Sequence, residues 1–496
     1  MLLSPARTVK RSGSIRGAMR RDAPRTPTPD VARAVAARHD AHVKLLVILA
    51  VGLRPKDLAH APVMRGLGEH GFTAPLDTVF PAVTCSVQAT FLTGLPPSGH
   101  GAVGNGWYFR DLAQVMFWRQ PNQLVRGEKL YEAAKQRFGT RTAKLFWWWN
   151  MYAPGVDWSM TPRPEYHADG LKKPGLYSEP PDLQADLQQE LGPFPLFDFW
   201  GPRAGIASTR WIVSSALSVM HRQDPDLVLA YLPHLDYDHQ RFGPEDPRSV
   251  QAVRDLDVEV GRLVEAARAK NAHVMVLSEY GIEPATRVVF LNRLLHEKGL
   301  LRVQETSHGQ LLDCGACRAF AVADHQCAHV HVAQASDVGM VRDLLAMVPG
   351  VARVLDPTQQ IEFGVNHARS GELVCIAEPG CWFAYHYWLD EARRPDFAPT
   401  VDIHRKPGYD PAELFLDPKI AFPKLKIAKT LAKKMLGFRY LMDVIPTDPS
   451  MVRGTHGRLY GDDAAGPVFL CSDRALARDR VAATDVKELC LRVLSG

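Results

Sequence analysis

Three short apolar runs constrain the fold of this chain more than any other feature. KLLVILAVGL (residues 44–53), DLVLAYLPHLD (226–236) and AHVMVLSEYG (272–281) are apolar without alternation and end at glycine, proline or polar residues. A strand with one wet face alternates, whereas a strand covered on both faces does not, so these runs predict a sheet with helices on either side. Between the second and third runs, residues 249–270 carry apolar side chains at helical spacing, with Ser249 after Pro247 as the N-cap signal. Strand, helix, strand implies parallel pairing. Further on, residues 317–332 read as strands, 335–348 as a helix and 372–385 as a strand and hairpin, which places a small inserted cap subdomain at 311–390. The expected organisation is a basic arm (1–41), the first part of an α/β core (42–310), the cap (311–390) and a return to the core (391–496).

A chain of 496 residues, 46% apolar and 23% charged, is long enough to bury a large core. No run reaches the roughly 18 apolar residues of a membrane span, and the first residues lack a secretory apolar stretch. Arg20-Arg21 is followed by DAPRTPTPD and does not read as an export signal. Eight cysteines, several inside strand-like runs, read as buried thiols rather than a disulfide framework. A cytoplasmic protein is therefore expected. The net charge of +5 belongs to the arm, since residues 1–40 hold nine basic side chains against three acidic ones. The body is close to neutral, no nucleic-acid partner is expected, and the arm itself reads as disordered.

Ligands of open parallel sheets bind beyond the carboxyl ends of the strands, here at Val51-Gly52, residues 236–240 and Glu279-Tyr280. Residues 80–108, FPAVTCSVQATFLTGLPPSGHGAVGNGWY, add a helix expected to begin at Thr84 and run to about Thr93, stopped by Gly94 and Pro96-Pro97. A hydroxyl at a helix N-terminus sits where unpaired N–H groups and the dipole favour a phosphoryl group, so Thr84 reads either as a nucleophile or as a plain helix cap.

That segment resembles the nucleophile region of the type I phosphodiesterase/nucleotide pyrophosphatase family, within the alkaline phosphatase superfamily. Thr84, Thr93-Gly94-Leu95, Pro97, His100-Gly101 and Asn105 stand at the matching distances, and the likeness extends in pieces from about Val43 to His456. It implies an α/β fold of alkaline-phosphatase type, a mixed and mostly parallel sheet between helices. It also implies hydrolysis of a phosphoric ester or pyrophosphate through phosphoryl-Thr84, helped by two divalent metals, usually zinc. The ligand positions are altered in this chain. Val51 stands where the family has Asp, Gln240 where it has His, and Glu279-Tyr280 where it has Asp-His; Asp236 and His456 match. One divalent metal, expected to be zinc, would be held by Asp236, Glu279, His404 and His456, with His239 an alternative to His404. The second site would be weak or empty. Asn105 would join the helix N–H groups in stabilising the transferring phosphoryl oxygens. The pattern suggests a divergent bacterial branch.

Other motifs bear on the substrate. Residues 401–415 set His404, Arg405, Lys406 and Asp410 in a Gly/Pro-constrained loop, either neutralising phosphate charge or simply solvated. Residues 146–170 combine three consecutive tryptophans with Asn150 and Arg163, which form either a wall gripping an aromatic or prenyl-like group or part of the core. CGAC (314–317) with His325, Cys327, His329 and His331 admits a structural metal, although the alternation there suits an ordinary strand. From Lys424 to Met442, Ile427, Leu431, Met435, Phe438 and Met442 recur at helical spacing among lysines. That basic amphipathic helix would lie on an anionic membrane, steer a phosphorylated substrate, or pack its apolar face on the core. The expected ligand is a small-molecule phosphate ester, lipidic or nucleotide. Three functions remain open at this point: a hydrolase, a non-catalytic binder of a phosphorylated metabolite or partner enzyme, and a transferase passing the phosphoryl group to an alcohol.

Overall fold

Leu45–Ala50, Leu227–Leu232 and His273–Leu277 are strands, the first paired in parallel with both others in the register Leu45 to Leu227 and Leu45 to His273. Every residue of Leu45–Ala50 and Leu227–Leu232 is buried, as continuous apolarity requires of strands covered on both faces. The computed structural model describes residues 43–168 and 172–496, and the expected basic arm lies outside the described residues. Among the described residues these strands belong to a nine-stranded sheet in the order Val481–Ala482, Phe72–Asp77, Val468–Cys471, His273–Leu277, Leu45–Ala50, Leu227–Leu232, Thr142–Leu145, Trp158–Pro162, Leu176–Glu179. The five from His273–Leu277 to Trp158–Pro162 are mutually parallel, while Val468–Cys471 and Leu176–Glu179 run antiparallel to their neighbours. The sheet is thus mixed and mostly parallel.

Two groups of helices cover it. Ile206–Gln223 and Pro247–Arg268 pack on each other and on the central strands; Thr84–Thr93, Leu130–Phe138 and Val486–Ser495 pack together as the second group. The Pro247–Arg268 helix starts two residues before the expected Ser249. Asp246 is its N-cap, accepting from the Arg248 amide, with Pro247 at the first helical position, where its missing N–H costs nothing. Ser249 instead donates its hydroxyl to Gly243 O at 2.7 Å.

A second, four-stranded sheet is antiparallel throughout, in the order Ala319–Asp324, Cys327–Val332, Leu373–Ala377, Val351–Leu355, and carries its own apolar cluster. The turn joining its first two strands is only His325-Gln326. His325 takes φ +56°, the left-handed backbone that two-residue hairpins demand. All eight cysteines are buried and free. The basic helix covers Pro423–Met435 rather than 424–442, because Gly437 at φ +77° leaves the helical path and residues 436–442 do not resume it. No helix among the described residues is long and apolar enough to cross a membrane.

Candidate active site

Thr84 is the first residue of the Thr84–Thr93 helix, entered from extended Val83 and closed by Gly94 at φ +73°. All ten residues of this helix are buried, so its N-terminus is rigidly held. Asn105 holds the first turn from the side: its Oδ1 accepts from the Cys85 amide at 2.9 Å and its Nδ2 donates to Asp324 Oδ1 at 3.0 Å. Asp324 also accepts from the Asn105 backbone N–H at 2.7 Å. The two-residue turn after Asp324 brings that carboxylate and His325 to the same place.

The Thr84 hydroxyl lies 3.0 Å from the Tyr280 hydroxyl, which in turn donates to Asp236 Oδ1 at 3.4 Å. Tyr280 has one proton to give, and it goes to Asp236, so Thr84 is the donor to Tyr280. The three oxygens form a line along which a proton can leave Thr84. Asp236 sits on the His234–Phe242 helix after the Leu227–Leu232 strand, and Tyr280 follows the His273–Leu277 strand, both beyond carboxyl strand ends. Burial pushes the Asp236 carboxyl up to about 7.

His456 completes the cluster. Its ring stacks on Tyr280 with centroids 3.5 Å apart and 7° between planes, and touches the His325 ring at 3.6 Å. Nδ1 lies 2.9 Å from Ala82 O, a pure acceptor, so Nδ1 carries the proton and the bare Nε2 faces Asp236 Oδ1 at 3.7 Å. Burial drives this imidazole down to about 3, so it is neutral. Glu279 is buried alongside; Oε1 accepts from Gln88 Nε2 at 2.9 Å, and burial pushes its carboxyl up to about 8.

These groups border a cavity of about 1040 Å³ lined by Thr84, Asp236, Tyr280 and His325 at one end. Its walls are aromatic, including Trp118, Trp148, Tyr152 and Trp200, with Arg119, Arg163, His404 and Arg405 among them. The tryptophan run divides between roles, since Trp147 and Trp149 are core residues at 1% exposure and only Trp148 reaches the cavity.

The expected site residues therefore separate. Thr84, Asp236, His404, Arg163 and Arg405 line the cavity, and His456 stands directly behind Tyr280. Asn105 and Glu279 are buried and tied to protein partners rather than lining it. Asn150 is buried, donating to Lys144 O and Met160 O; Lys406 is 1% exposed and pairs with Asp410 and Glu413 at 2.7 and 2.8 Å. Both hold backbone or loop in place. Arg119, Trp118, Tyr409 and the His325 turn carry no local sequence signal that marks them as cavity residues. The sequence marks Tyr280, three residues beyond one of the three strands that position ligands, as an altered ligand position and not as a hydrogen-bond partner of Thr84.

A two-metal site does not fit these residues. Zinc needs donors at about 2 Å, and the place between Thr84 and Asp236 is filled by the Tyr280 phenol oxygen, hydrogen-bonded to both. Val51 is a buried hydrocarbon, and Gln240 Oε1 is taken by the Tyr409 hydroxyl at 2.8 Å. The Asp236, Glu279, His404 and His456 set is not gathered either. Among the described residues no three His, Cys, Asp or Glu side chains form a group that could hold a metal ion.

The fold has many solved counterparts. Murine ectonucleotide pyrophosphatase/phosphodiesterase 5, solved in an inactive form with AMP, matches at TM-score 0.55 and 16% identity, covering 91% of this chain and 95% of that one. Phosphonoacetate hydrolase from Sinorhizobium meliloti matches at TM-score 0.59 and 14% identity, covering 91% and 96%. In sequence, an uncharacterized pyrophosphatase/phosphodiesterase of Schizosaccharomyces pombe is 23% identical over 296 residues, 57% of this chain and 53% of its own. Human ectonucleotide pyrophosphatase/phosphodiesterase family member 1 is 21% identical over 253 residues, 49% of this chain and 24% of its own. The aligned part thus spans about half of the yeast relative and a quarter of the human one. The family model for type I phosphodiesterase/nucleotide pyrophosphatase matches residues 45–410, most of the chain, from the first central strand past the loop of His404 and Arg405. By that match the chain belongs to the type I phosphodiesterase/nucleotide pyrophosphatase family.

Proposed function

We propose that this protein hydrolyses phosphoric diesters or pyrophosphates, with Thr84 as the nucleophile. The observation that carries the reading is the hydrogen-bonded line from Thr84 through Tyr280 to Asp236, opening on an arginine- and aromatic-lined cavity. In the first step the Thr84 oxygen bonds to phosphorus and the bond to the leaving oxygen breaks. The Thr84 proton passes to Tyr280, whose own proton goes to Asp236, and the leaving oxygen takes a proton from solvent in the cavity. Water then attacks phosphoryl-Thr84 and releases its proton to solvent, while Asp236 returns the stored proton through Tyr280 to the Thr84 oxygen. Arg119, Arg163 and Arg405 supply positive charge for the phosphoryl oxygens, and the aromatic walls hold the leaving group. The family resemblance and the murine relative solved with AMP support an ester of nucleotide type. No step uses a metal, because the donor set does not fit a pair.

A second reading, a non-catalytic binder of a phosphorylated ligand in the same cavity, is favoured by Val51, Gln240 and Tyr280 at positions where the family carries metal ligands. Turnover of bis(p-nitrophenyl) phosphate and of a nucleotide p-nitrophenyl ester separates the two. The hydrolase reading expects release of p-nitrophenol by wild type and a loss of at least about a hundredfold in Thr84→Ala. Equal rates in the two proteins would remove the nucleophile, and no turnover with retained nucleotide binding would favour the binder.

A further inference from the structure

The Pro423–Met435 helix is mounted with its apolar side outward. Its one buried residue is Thr430, and on the same side Lys426 reaches back to Asp443 Oδ2 at 2.8 Å and Asp443 O at 2.7 Å. At about 3.6 residues per turn, the opposite side carries Leu425, Ala428, Ala432, Met435 and Leu436. Leu425 is 67%, Met435 87% and Leu436 74% exposed, and Phe422 and Phe438 extend the patch beyond both helix ends at 73% and 64%. Surface helices bury the apolar stripe and wet the polar one, so this arrangement leaves a face that stays exposed among the described residues.

The charges around that face select what covers it. Residues 418–442 contain Lys419, Lys424, Lys426, Lys429, Lys433, Lys434 and Arg439 and no acidic residue. A second copy of the same face would bring these cations against one another. The outward side of the helix offers aliphatic groups with no serine, asparagine or glutamine to fix a directional hydrogen bond, and the only hydroxyl of Pro423–Met435, Thr430, is turned inward. An apolar stripe flanked by cations suits a partner with an anionic surface over a fluid apolar interior. We infer that this helix docks the protein on an anionic lipid bilayer, lying in the interface plane with Leu425, Met435, Leu436 and Phe438 inserted and the lysines at the headgroups.

Sedimentation with sucrose-loaded vesicles tests this on the full chain. Wild type is expected to pellet with phosphatidylcholine vesicles containing phosphatidylglycerol, to pellet far less with pure phosphatidylcholine, and to be released by salt. Met435→Glu/Leu436→Glu and, separately, Lys429→Glu/Lys433→Glu are each expected to lower partitioning on the order of tenfold or more. These positions are exposed and far from the core contacts, so the melting temperature and turnover of a soluble ester should stay at wild-type values, which excludes misfolding as the cause. Wild type staying in the supernatant with anionic vesicles would overturn the inference. So would variants that pellet like wild type, or a dimer seen by analytical ultracentrifugation that Met435→Glu/Leu436→Glu dissolves without any vesicle binding.

Discussion

In the proposed mechanism Tyr280 is the residue on which the chemistry turns. By the family resemblance its phenol stands where an imidazole is expected, and its position links Thr84 to Asp236 through hydrogen bonds. As the proposed nucleophile, the Thr84 hydroxyl needs a route for its proton, and an uncharged relay buried with the carboxylate would supply one without a cation. Tyr280→Phe keeps the ring that stacks on His456 and deletes only the oxygen. We expect kcat to fall about a hundredfold with KM changed less than about threefold, because the lost atom acts on the proton and not on ligand binding. Steady-state kinetics on a p-nitrophenyl diester reads both constants. An unchanged kcat would show that Thr84 is activated by some other group.

At the scale of elements, legibility follows from how local the determinant is. The three apolar strands and the Thr84–Thr93 helix could be read because burial on both faces and the Gly94 stop are written into consecutive residues. The helix cap lies at Asp246, three positions before Ser249, which also has a capping side chain, and only the observed start at Pro247 decides between them. The Trp147-Trp148-Trp149 run could be read as core or as cavity wall and is both, which needs the turn geometry, with Trp149 at φ +60°, to sort out. The basic helix shows the limit most plainly. Its periodicity predicts amphipathicity, but no pattern within residues 424–442 states that the Thr430 side, and not the leucine side, faces the body. Asn105 is marked in the sequence by the family resemblance, Asn150 by its place after three tryptophans and Lys406 by its Gly/Pro-constrained loop. Their partners lie on other segments in the case of Asp324 and Met160, and in buried ion pairs in the case of Lys406. Only three-dimensional proximity reveals such commitments.

Across the whole molecule, burial of ionisable groups sets a pH profile of stability with two limbs. His100, His234 and His456 are driven to about 3, and His239, His329 and His386 to about 4, from an ordinary 6.5. Below 6.5 the unfolded chain binds protons at these positions and the folded one does not, so stability rises with pH up to that value. The buried carboxyls act in the opposite sense. Asp236 and Asp324 at about 7 and Glu279 at about 8 keep their protons when folded and lose them when unfolded, so their contribution falls as pH rises through those values. Six histidines outweigh three carboxyls on the acid side. The melting temperature measured by calorimetry should therefore peak near pH 6.5 and decline toward pH 8, and Glu279→Gln, which preserves the bond from Gln88, should flatten that decline. A melting temperature rising steadily from pH 6.5 to 8 would contradict it.

The central claim is that the Thr84 oxygen becomes bonded to phosphorus during turnover. Rapid acid quench of the full chain with a slowly released diester, followed by peptide mass spectrometry, looks at that bond directly. The account predicts a phosphoryl ester on the peptide carrying Thr84, localised to that residue and absent from Thr84→Ala. Steady turnover with an unmodified Thr84, or with the phosphoryl group on another side chain, would contradict it.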